Sequence, residues 1–321
     1  MQLLEQYKAS LKSIESEEVF DLVIYRPLAF LFVKATYSTS LTPNQVSVMA
    51  MVIGVVGGVF FGCGTPVCLT LGAVCYFLSN VLDCADGQIA RLKHNGSRIG
   101  RIVDGFIDYV VSIAVFLGIA ISLTKSVDAG IIPEFGARAL GITPESGYGV
   151  LYVWVLTILA GASTALQAFH FDLRRNNYLK FVYGKAANLE DEIRDYEEEH
   201  LRALKKRGIG KYIDLLLIRI YLGYCRLQMK SQSGKPALQP VVVPPEIFSR
   251  HNKTLLRAWS YIGSTTHITV CVACALAGNL EAFLLITLVP LNALLGALLL
   301  LQGRADRTVN ESSILIDPVN T

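Results

Sequence analysis

The sequence predicts an all-α integral membrane protein with six transmembrane helices, an N-terminal interfacial helix and a helical cytoplasmic insert. Hydrophobic residues make up 52% of the 321 residues and charged residues only 17%, whereas a soluble domain has roughly 25% charged residues. The mean hydropathy is +0.45. Six stretches are also long and apolar enough to cross a hydrocarbon core about 30 Å thick as helices.

The N-terminal segment, residues 1–40, is predicted to lie at the membrane surface. Apolar residues such as Phe20 alternate there with Glu17, Asp21 and Arg26, a pattern typical of an amphipathic interfacial helix. We expect Pro27 to break this helix. No cleavable signal peptide is expected, because the segment opens with mixed charges instead of a basic tract before an apolar core.

The membrane domain is predicted over residues 41–302, followed by a tail at 303–321. Its six spans are expected at 45–63, 67–83, 102–123, 148–170, 255–277 and 280–302. Lys and Arg are concentrated between the second and third spans and in the insert, at about 171–253. Because positively charged loops remain in the cytoplasm, both termini are predicted to be cytoplasmic.

Three segments are predicted within the insert. Residues 188–207 are so charged that a solvated helix is expected, 209–229 predict a second interfacial helix rather than a seventh span, and 239–245 predict an extended Pro-rich linker. The net charge of +3 is too small to indicate nucleic-acid binding. We therefore expect no nucleic-acid partner.

Four carboxylates lie where the second and third spans approach each other. Asp83 and Asp86 are three residues apart, and Asp104 and Asp108 four apart, so each pair shares one helix face. The short loop makes the two spans antiparallel neighbours, which brings the acidic faces together just below the cytoplasmic surface. The alternative is that these acids are interfacial charges paired with nearby arginines.

Converging carboxylates repel one another unless cations lie between them. Oxygen ligands alone favour Mg²⁺ or Mn²⁺, and we expect two ions. Two cations with four carboxylates suit displacement at phosphorus, in which one carboxylate accepts the proton of the attacking hydroxyl. The adjacent Gly87, Ala90 and Gly100 leave room for a bulky ligand, and Arg91 offers a planar fork for a diphosphate.

Together these positions form one motif, Asp83-x-x-Asp86-Gly87-x-x-Ala90-Arg91, followed by Gly100, Asp104 and Asp108. The motif resembles the complete signature of the CDP-alcohol phosphotransferase (CDP-alcohol phosphatidyltransferase) family. Its members transfer a phosphoalcohol from a CDP-alcohol to a hydroxyl acceptor and release CMP. The resemblance covers residues 83–108 tightly and 41–302 loosely.

The resemblance implies a role for each motif residue. Asp83, Asp86 and Asp104 would hold metal, and Asp108 would ligate metal or act as the base. Gly87, Ala90, Arg91 and Gly100 would surround the CDP group. Thr42 and Asn44, in a segment similar to the one that precedes the family's first span, would contact the nucleotide. Thr42 could equally begin the first span as its N-cap.

The acceptor side carries no motif. Arg174 and Arg175 follow the fourth span and are candidates to bind a phosphorylated acceptor, or else anchors at the membrane interface. His267 lies in a polar patch of the fifth span and either lines the acceptor cavity or makes interhelical hydrogen bonds. Gly54, Gly58 and Gly62 allow close helix approach, either in a homodimer or within the chain.

The favoured function is transfer from CDP-diacylglycerol to a small polar alcohol in phospholipid biosynthesis, with membrane lipid around the protein. The alternative within the family has a CDP-linked polar head group as donor and a lipid alcohol as acceptor. A membrane prenyltransferase is less favoured, because the acids form one block rather than two separated Asp-rich motifs. A non-enzymatic membrane protein would not need the complete motif.

Overall fold

The computed structural model describes residues 3–11, 13–94, 98–131, 133, 135–143, 147–184, 189–205, 212, 215–216, 218–219, 221–223, 226 and 245–314. Within them, the α-helices are α1 (Leu3–Ser10), α2 (Arg26–Thr36), α3 (Pro43–Cys63), α4 (Pro66–Leu92), α5 (Arg98–Asp128), α6 (Gly136–Ala139), α7 (Gly149–Tyr183), α8 (Leu189–Lys205), α9 (Pro245–Trp259), α10 (Ser264–Leu276), α11 (Leu280–Leu288) and α12 (Pro290–Ile314). A π-helical turn, Asp21–Tyr25, leads into α2, and a 3-10 turn, Ser260–Ile262, follows α9.

Among the described residues, five helical stretches are long and apolar enough to cross a membrane. They are Pro43–Cys63, Pro66–Leu92, Val103–Asp128, Gly149–Tyr183 and Leu280–Thr308. This confirms the all-α integral membrane class, but not the predicted count of six spans.

The predicted fifth span, 255–277, is divided into two helices. Gly263 has extended backbone torsions, with φ −74° and ψ 171°, which end the helical path after the 3-10 turn. The following helix α10 has only 13 residues and is about 20 Å long at 1.5 Å per residue. It is therefore shorter than the hydrocarbon core that it was expected to cross.

The last apolar stretch is interrupted at Val289, between the end of α11 at Leu288 and the start of α12 at Pro290. Proline has no backbone N–H to donate, and its ring collides with the carbonyl group four residues earlier. The helical path resumes at once, because the Ala293 amide donates to the Val289 carbonyl at 3.0 Å. The predicted sixth span thus consists of two consecutive helices, α11 and the first part of α12.

The glycines of α3 pack within the chain. A Cβ atom at Gly54 would collide with Val111, and one at Gly58 would lie 2.5 Å from the Ala114 carbonyl oxygen. Gly118 faces Gly58 from the other side, so the backbones of α3 and α5 touch directly. Of the two alternatives for this glycine face, the structure uses it for packing inside one chain.

Helix α2 packs one face against α4 and leaves the other exposed. Ala29 and Val33 are buried in a cluster with Ala85 and Ile89, whereas Leu31 is 65% exposed. The predicted break at Pro27 does not occur. Pro27 falls in the first turn of α2, directly after the π-helical turn, where a missing amide donor interrupts no α-helical hydrogen bond.

Part of the polar insert is helical. Helix α7 continues through position 171 to Tyr183, so its last turns carry Arg174 and Arg175. The predicted charged helix at 188–207 corresponds to α8, Leu189–Lys205. The predicted interfacial helix at 209–229 and the linker at 239–245 lie largely outside the described residues.

Candidate active site

Three carboxylates from two neighbouring helices converge at the end of the bundle where α4 ends and α5 begins. Ligand oxygens of Asp83 and Asp86 on α4 and of Asp104 on α5 all lie within 4.8 Å of one another. Ser47 of α3 donates a short hydrogen bond to the Asp86 carboxylate. Three helices therefore fix the position of the buried member of the cluster.

The fourth acid, Asp108, lies one turn further along α5 than Asp104. It lines the same cavity but is more exposed than the other three acids. Because residues four apart share a helix face, Asp108 points toward the same space without joining the tight cluster. The cavity has a volume of about 750 Å³.

The motif residues after Asp86 also line this cavity, namely Gly87, Ala90 and Arg91. A Cβ atom at Gly87 would lie 3.2 Å from Nη2 of Arg91, so the missing side chain lets the guanidinium lie across the helix. The Nε atom of Arg91 donates to the Ser10 carbonyl. Its Nη2 atom is buried and has no hydrogen-bond partner among the described residues.

The other predicted nucleotide residues are not among the described residues that line the cavity. Thr42 is the N-cap of α3 and forms a capping box with Gln45, whose amide donates to the Thr42 hydroxyl at 3.4 Å. Asn44 is exposed in the first turn of α3, and Gly100 is half-buried in the first turn of α5. The structure thus gives Thr42 the capping role that was the alternative to nucleotide contact.

Of the three residues predicted to bind the acceptor, two line the cavity and one does not. Arg174 pairs with Asp306 of α12 at 3.5 Å and lies over the Trp259 ring, outside the cavity lining. Arg175 lines the cavity and is held by Asp172 at 2.8 Å. His267 also lines the cavity and is only 3% exposed.

The model of the CDP-alcohol phosphatidyltransferase family matches residues 40–188, which include the whole acidic cluster. This part of the chain, just under half of its 321 residues, is therefore similar to this family. The family match agrees with the resemblance drawn from the motif, and supports an enzyme of the CDP-alcohol phosphotransferase class.

Two curated proteins to which the chain is similar carry the name "Bifunctional IPC transferase and DIPP synthase". The protein from Thermococcus kodakarensis is 36% identical over 70 residues, which are 22% of this chain and 15% of the relative. The protein from Archaeoglobus fulgidus is 26% identical over 113 residues, which are 35% of this chain and 22% of the relative. The chain thus spans less than a quarter of the length of either relative.

Sequence reasoning missed the part of the site that lies before the family match. Glu17, Glu18, Asp21 and Arg26 line the cavity, although they were assigned to an interfacial helix. Arg26 donates to Glu17 at 3.0 Å and to the Cys84 carbonyl at 3.2 Å. Charged residues three to five positions apart within an apolar stretch were the available signal, but this pattern also fits a membrane surface.

Glu18 completes the N-terminus of α10. Gly263, the residue before this helix, has no side chain to cap it, and the Glu18 carboxylate accepts the Thr265 amide at 3.0 Å and the Ser264 hydroxyl at 3.2 Å. A negative group at a helix N-terminus satisfies free amides and the helix dipole. Burial, with the nearby charge of Asp21, nevertheless raises the pKa of Glu18 to about 8.

Proposed function

We propose that the chain is a CDP-alcohol phosphotransferase of phospholipid biosynthesis, which transfers a substituted phosphate from CDP-diacylglycerol to an acceptor hydroxyl and releases CMP. The observation that carries this proposal is the set of three carboxylates within 4.8 Å of one another, at motif positions inside the family match. An acidic cluster at the edge of membrane-spanning helices is costly unless it serves a cationic ligand.

The donor set fits hard divalent cations. Asp83, Asp86 and Asp104 offer carboxylate oxygens, and Asp108 adds a fourth group beside them, so Mg²⁺ or Mn²⁺ is the expected cofactor, with two ions. Bound ions would neutralise the negative charge of the diphosphate. The chemistry of the four side chains supports this assignment without naming one ion over the other.

The proposed reaction is a displacement at the phosphorus atom distal to cytidine. The acceptor oxygen forms a new P–O bond, the P–O bond to CMP breaks, and CMP leaves with that electron pair. Asp108, which lines the cavity outside the tight cluster, accepts the proton of the acceptor hydroxyl. Its position leaves it accessible to an incoming alcohol.

The remaining motif residues hold the donor. Arg91, whose Nη2 atom in the cavity wall has no partner among the described residues, binds the diphosphate through charge-assisted hydrogen bonds. Gly87, Ala90 and Gly100 leave room for the cytidine, and Thr42 and Asn44 remain weaker candidates for nucleotide contact. Arg175 and His267 face the acceptor. Arg174 is next to Arg175 in the chain but lies outside the cavity lining, so we assign it no direct contact with the acceptor.

We further propose that both termini and the active site lie on the cytoplasmic side of a bacterial inner membrane. The basic loop before α5 and the basic insert support this orientation. The alternative within the same chemistry is a CDP-linked head group, such as CDP-inositol, CDP-choline or CDP-ethanolamine, with diacylglycerol or ceramide as acceptor. It uses the same carboxylates, so only a substrate assay separates the two.

Release of labelled CMP from purified protein in detergent tests the function. We expect release that requires Mg²⁺ or Mn²⁺, a CDP-diacylglycerol donor and a polar alcohol. Asp86→Asn should abolish release, whereas Asp128→Asn, which changes an exposed acid at the far end of α5, should not. Absence of CMP with donors of both classes would refute the enzymatic assignment.

A further inference from the structure

Three uncharged side chains of the cavity have polar atoms without a partner. The Nδ2 atom of Asn80, the Oγ1 atom of Thr164 and both ring nitrogens of His267 are buried and make no hydrogen bond within the part of the chain that the structure describes. All three residues line the cavity. Because buried polar atoms are nearly always paired, their convergence on one cavity indicates a ligand with hydrogen-bonding groups.

These residues lie beyond the acidic cluster as seen from the nucleotide residues. Along α4, Asn80 comes one turn before Asp83, whereas Gly87 and Arg91 follow Asp86. Along α7, Thr164 comes eight residues before Asp172, about 12 Å deeper into the bundle at 1.5 Å per residue. The cavity therefore has a deep part, lined by Asn80, Thr164 and His267, and a rim that carries the charged residues.

Two arginines of the cavity wall, Arg26 and Arg175, are paired with carboxylates. Arg175 is bound by Asp172 at 2.8 Å, and Arg26 by Glu17 at 3.0 Å. Glu18 and Asp21 add further carboxyl groups to the same wall. A phosphate group binds where cationic donors exceed acids, and this wall has the opposite balance.

We propose that the deep part of the cavity binds an uncharged polyhydroxy alcohol, so that the acceptor of the transfer carries no phosphate group. This inference rests on the proposed function and names the substrate class of the same site. A neutral imidazole has one donor and one acceptor, a threonine hydroxyl has both, and the Asn80 amide nitrogen donates. This set matches alcohol hydroxyls, which donate and accept together, better than it matches a phosphate, which only accepts.

An acceptor panel tests the proposal. Release of CMP from CDP-diacylglycerol is measured with glycerol against glycerol 3-phosphate and with myo-inositol against its 1-phosphate. We expect at least one neutral polyol to support release, with a kcat/KM at least tenfold above that of its phosphate. Release with phosphorylated alcohols alone would overturn the inference and leave the proposed function standing. Release only with a lipid alcohol and a CDP-linked head group would overturn both the inference and the proposed donor.

Substitution of a deep residue gives an independent test. Thr164→Val keeps the shape of the side chain and removes its hydroxyl, so the KM for the polyol should rise about three- to tenfold, the effect of one lost hydrogen bond. The KM for the CDP donor and kcat should change less than twofold. His267→Gln should raise the same KM, which keeps the test valid if one variant folds poorly.

The matched control is Thr157→Val on the same helix. The Thr157 hydroxyl is buried and donates to the Val153 carbonyl at 2.8 Å, and Thr157 is not among the described cavity residues. We expect this variant to retain the wild-type KM for the polyol. An unchanged KM in both Thr164→Val and His267→Gln, with folding verified by thermal melting, would show that the deep residues do not bind the acceptor.

Discussion

At the scale of single residues, Asp108 differs from the other motif acids in its surroundings. Ligand oxygens of Asp83, Asp86 and Asp104 crowd within 4.8 Å of one another, while Asp108 lies one turn away on a more open part of the cavity wall. A general base must reach the proton of an incoming alcohol, so the exposed acid is better placed for this role than the clustered ones.

We expect Asp108→Asn to lower kcat for CMP release by at least about 100-fold, the usual contribution of a general base. The Kd for the CDP donor, measured by titration calorimetry, should change only a few-fold, because the three clustered carboxylates remain. Asp128→Asn serves as the control. Turnover near the wild-type rate in Asp108→Asn would exclude the base role.

Glu18 predicts a pH dependence of stability. Its ordinary pKa of 4.5 is raised to about 8 by burial and by the neighbouring charge of Asp21, so between these values the folded protein binds a proton that the unfolded chain releases. The free energy of unfolding contributed by Glu18 therefore falls as pH rises from about 5 to about 8. Relative to Glu18→Gln, the wild-type Tm in detergent should decline over this range.

The control for this titration is Glu15→Gln. Hydrogen bonds from Lys253 and Tyr178 lower the pKa of Glu15, so its stabilising contribution is fully present above its unfolded pKa of about 4.5. The Tm difference between Glu15→Gln and wild type should stay constant from pH 6 to pH 8.5. A Tm difference for Glu18→Gln that is equally flat would contradict the raised pKa.

Residue patterns predicted the acids but not all their neighbours. Asp83, Asp86, Asp104 and Asp108 could be assigned because helix periodicity and a short loop determine which faces meet. Glu18 could not, because its position depends on how the N-terminal segment docks onto a helix more than 240 residues later in the chain. Such long-range docking has no local signal in the sequence.

At the scale of helices, the contact between α3 and α5 positions the site. Gly58 and Gly118 bring the two backbones into direct contact, and these helices carry Ser47 and Asp104 respectively. Spacing of the α3 glycines predicted a close approach, but it contained no information about the partner helix. Only the fold shows that the partner is α5.

We expect Gly118→Ala to destabilise the protein by about 1–3 kcal/mol, the usual cost of overpacking, and to lower CMP release, because α5 must move away from α3. Gly296→Ala is the matched change on α12, where an added Cβ meets no atom within 4 Å. That variant should be neutral or slightly more stable, since alanine favours helix over glycine. Equal Tm values for the two variants would contradict the packing account.

The division of the predicted fifth span at Gly263 follows from a contact with Glu18, which is far away in the sequence. A run of apolar residues from 255 to 277 indicated one helix, but a Cβ at Gly263 would overlap the Glu18 carboxylate. The break at Gly263 therefore gives the N-terminal segment access to the cavity wall. Composition alone could not distinguish one uninterrupted span from two shorter helices, the second of which is capped by the distant residue Glu18.

At the scale of the whole molecule, the residues that line the cavity come both from inside and from outside the family match. The acidic cluster and the nucleotide residues lie within the family match at 40–188, whereas Glu18 and His267 lie outside it and line the same cavity. The motif could therefore predict the reaction class, but not the substrate. Of the residues proposed to face the acceptor, Asn80, Thr164 and Arg175 lie within the match and His267 lies outside it.

Metal binding should stabilise the entire bundle, because the acidic cluster joins α4 to α5. Without cations, carboxylates within 4.8 Å of one another repel, and their repulsion opposes packing of the two helices. Adding Mg²⁺ at about 100 times its Kd should stabilise the folded protein by about 2.7 kcal/mol. We expect the wild-type Tm in detergent to rise with Mg²⁺ concentration and to fall again with EDTA.

Asp86→Asn separates this effect from general salt stabilisation. Without metal, the variant should be at least as stable as wild type, because one repelling charge is gone and the amide can still accept the Ser47 hydrogen bond. With Mg²⁺, its Tm should rise much less, while Asp128→Asn should respond as wild type does. If all three proteins gained the same Tm from Mg²⁺, the cation would be acting elsewhere, and the cluster would not be the metal site.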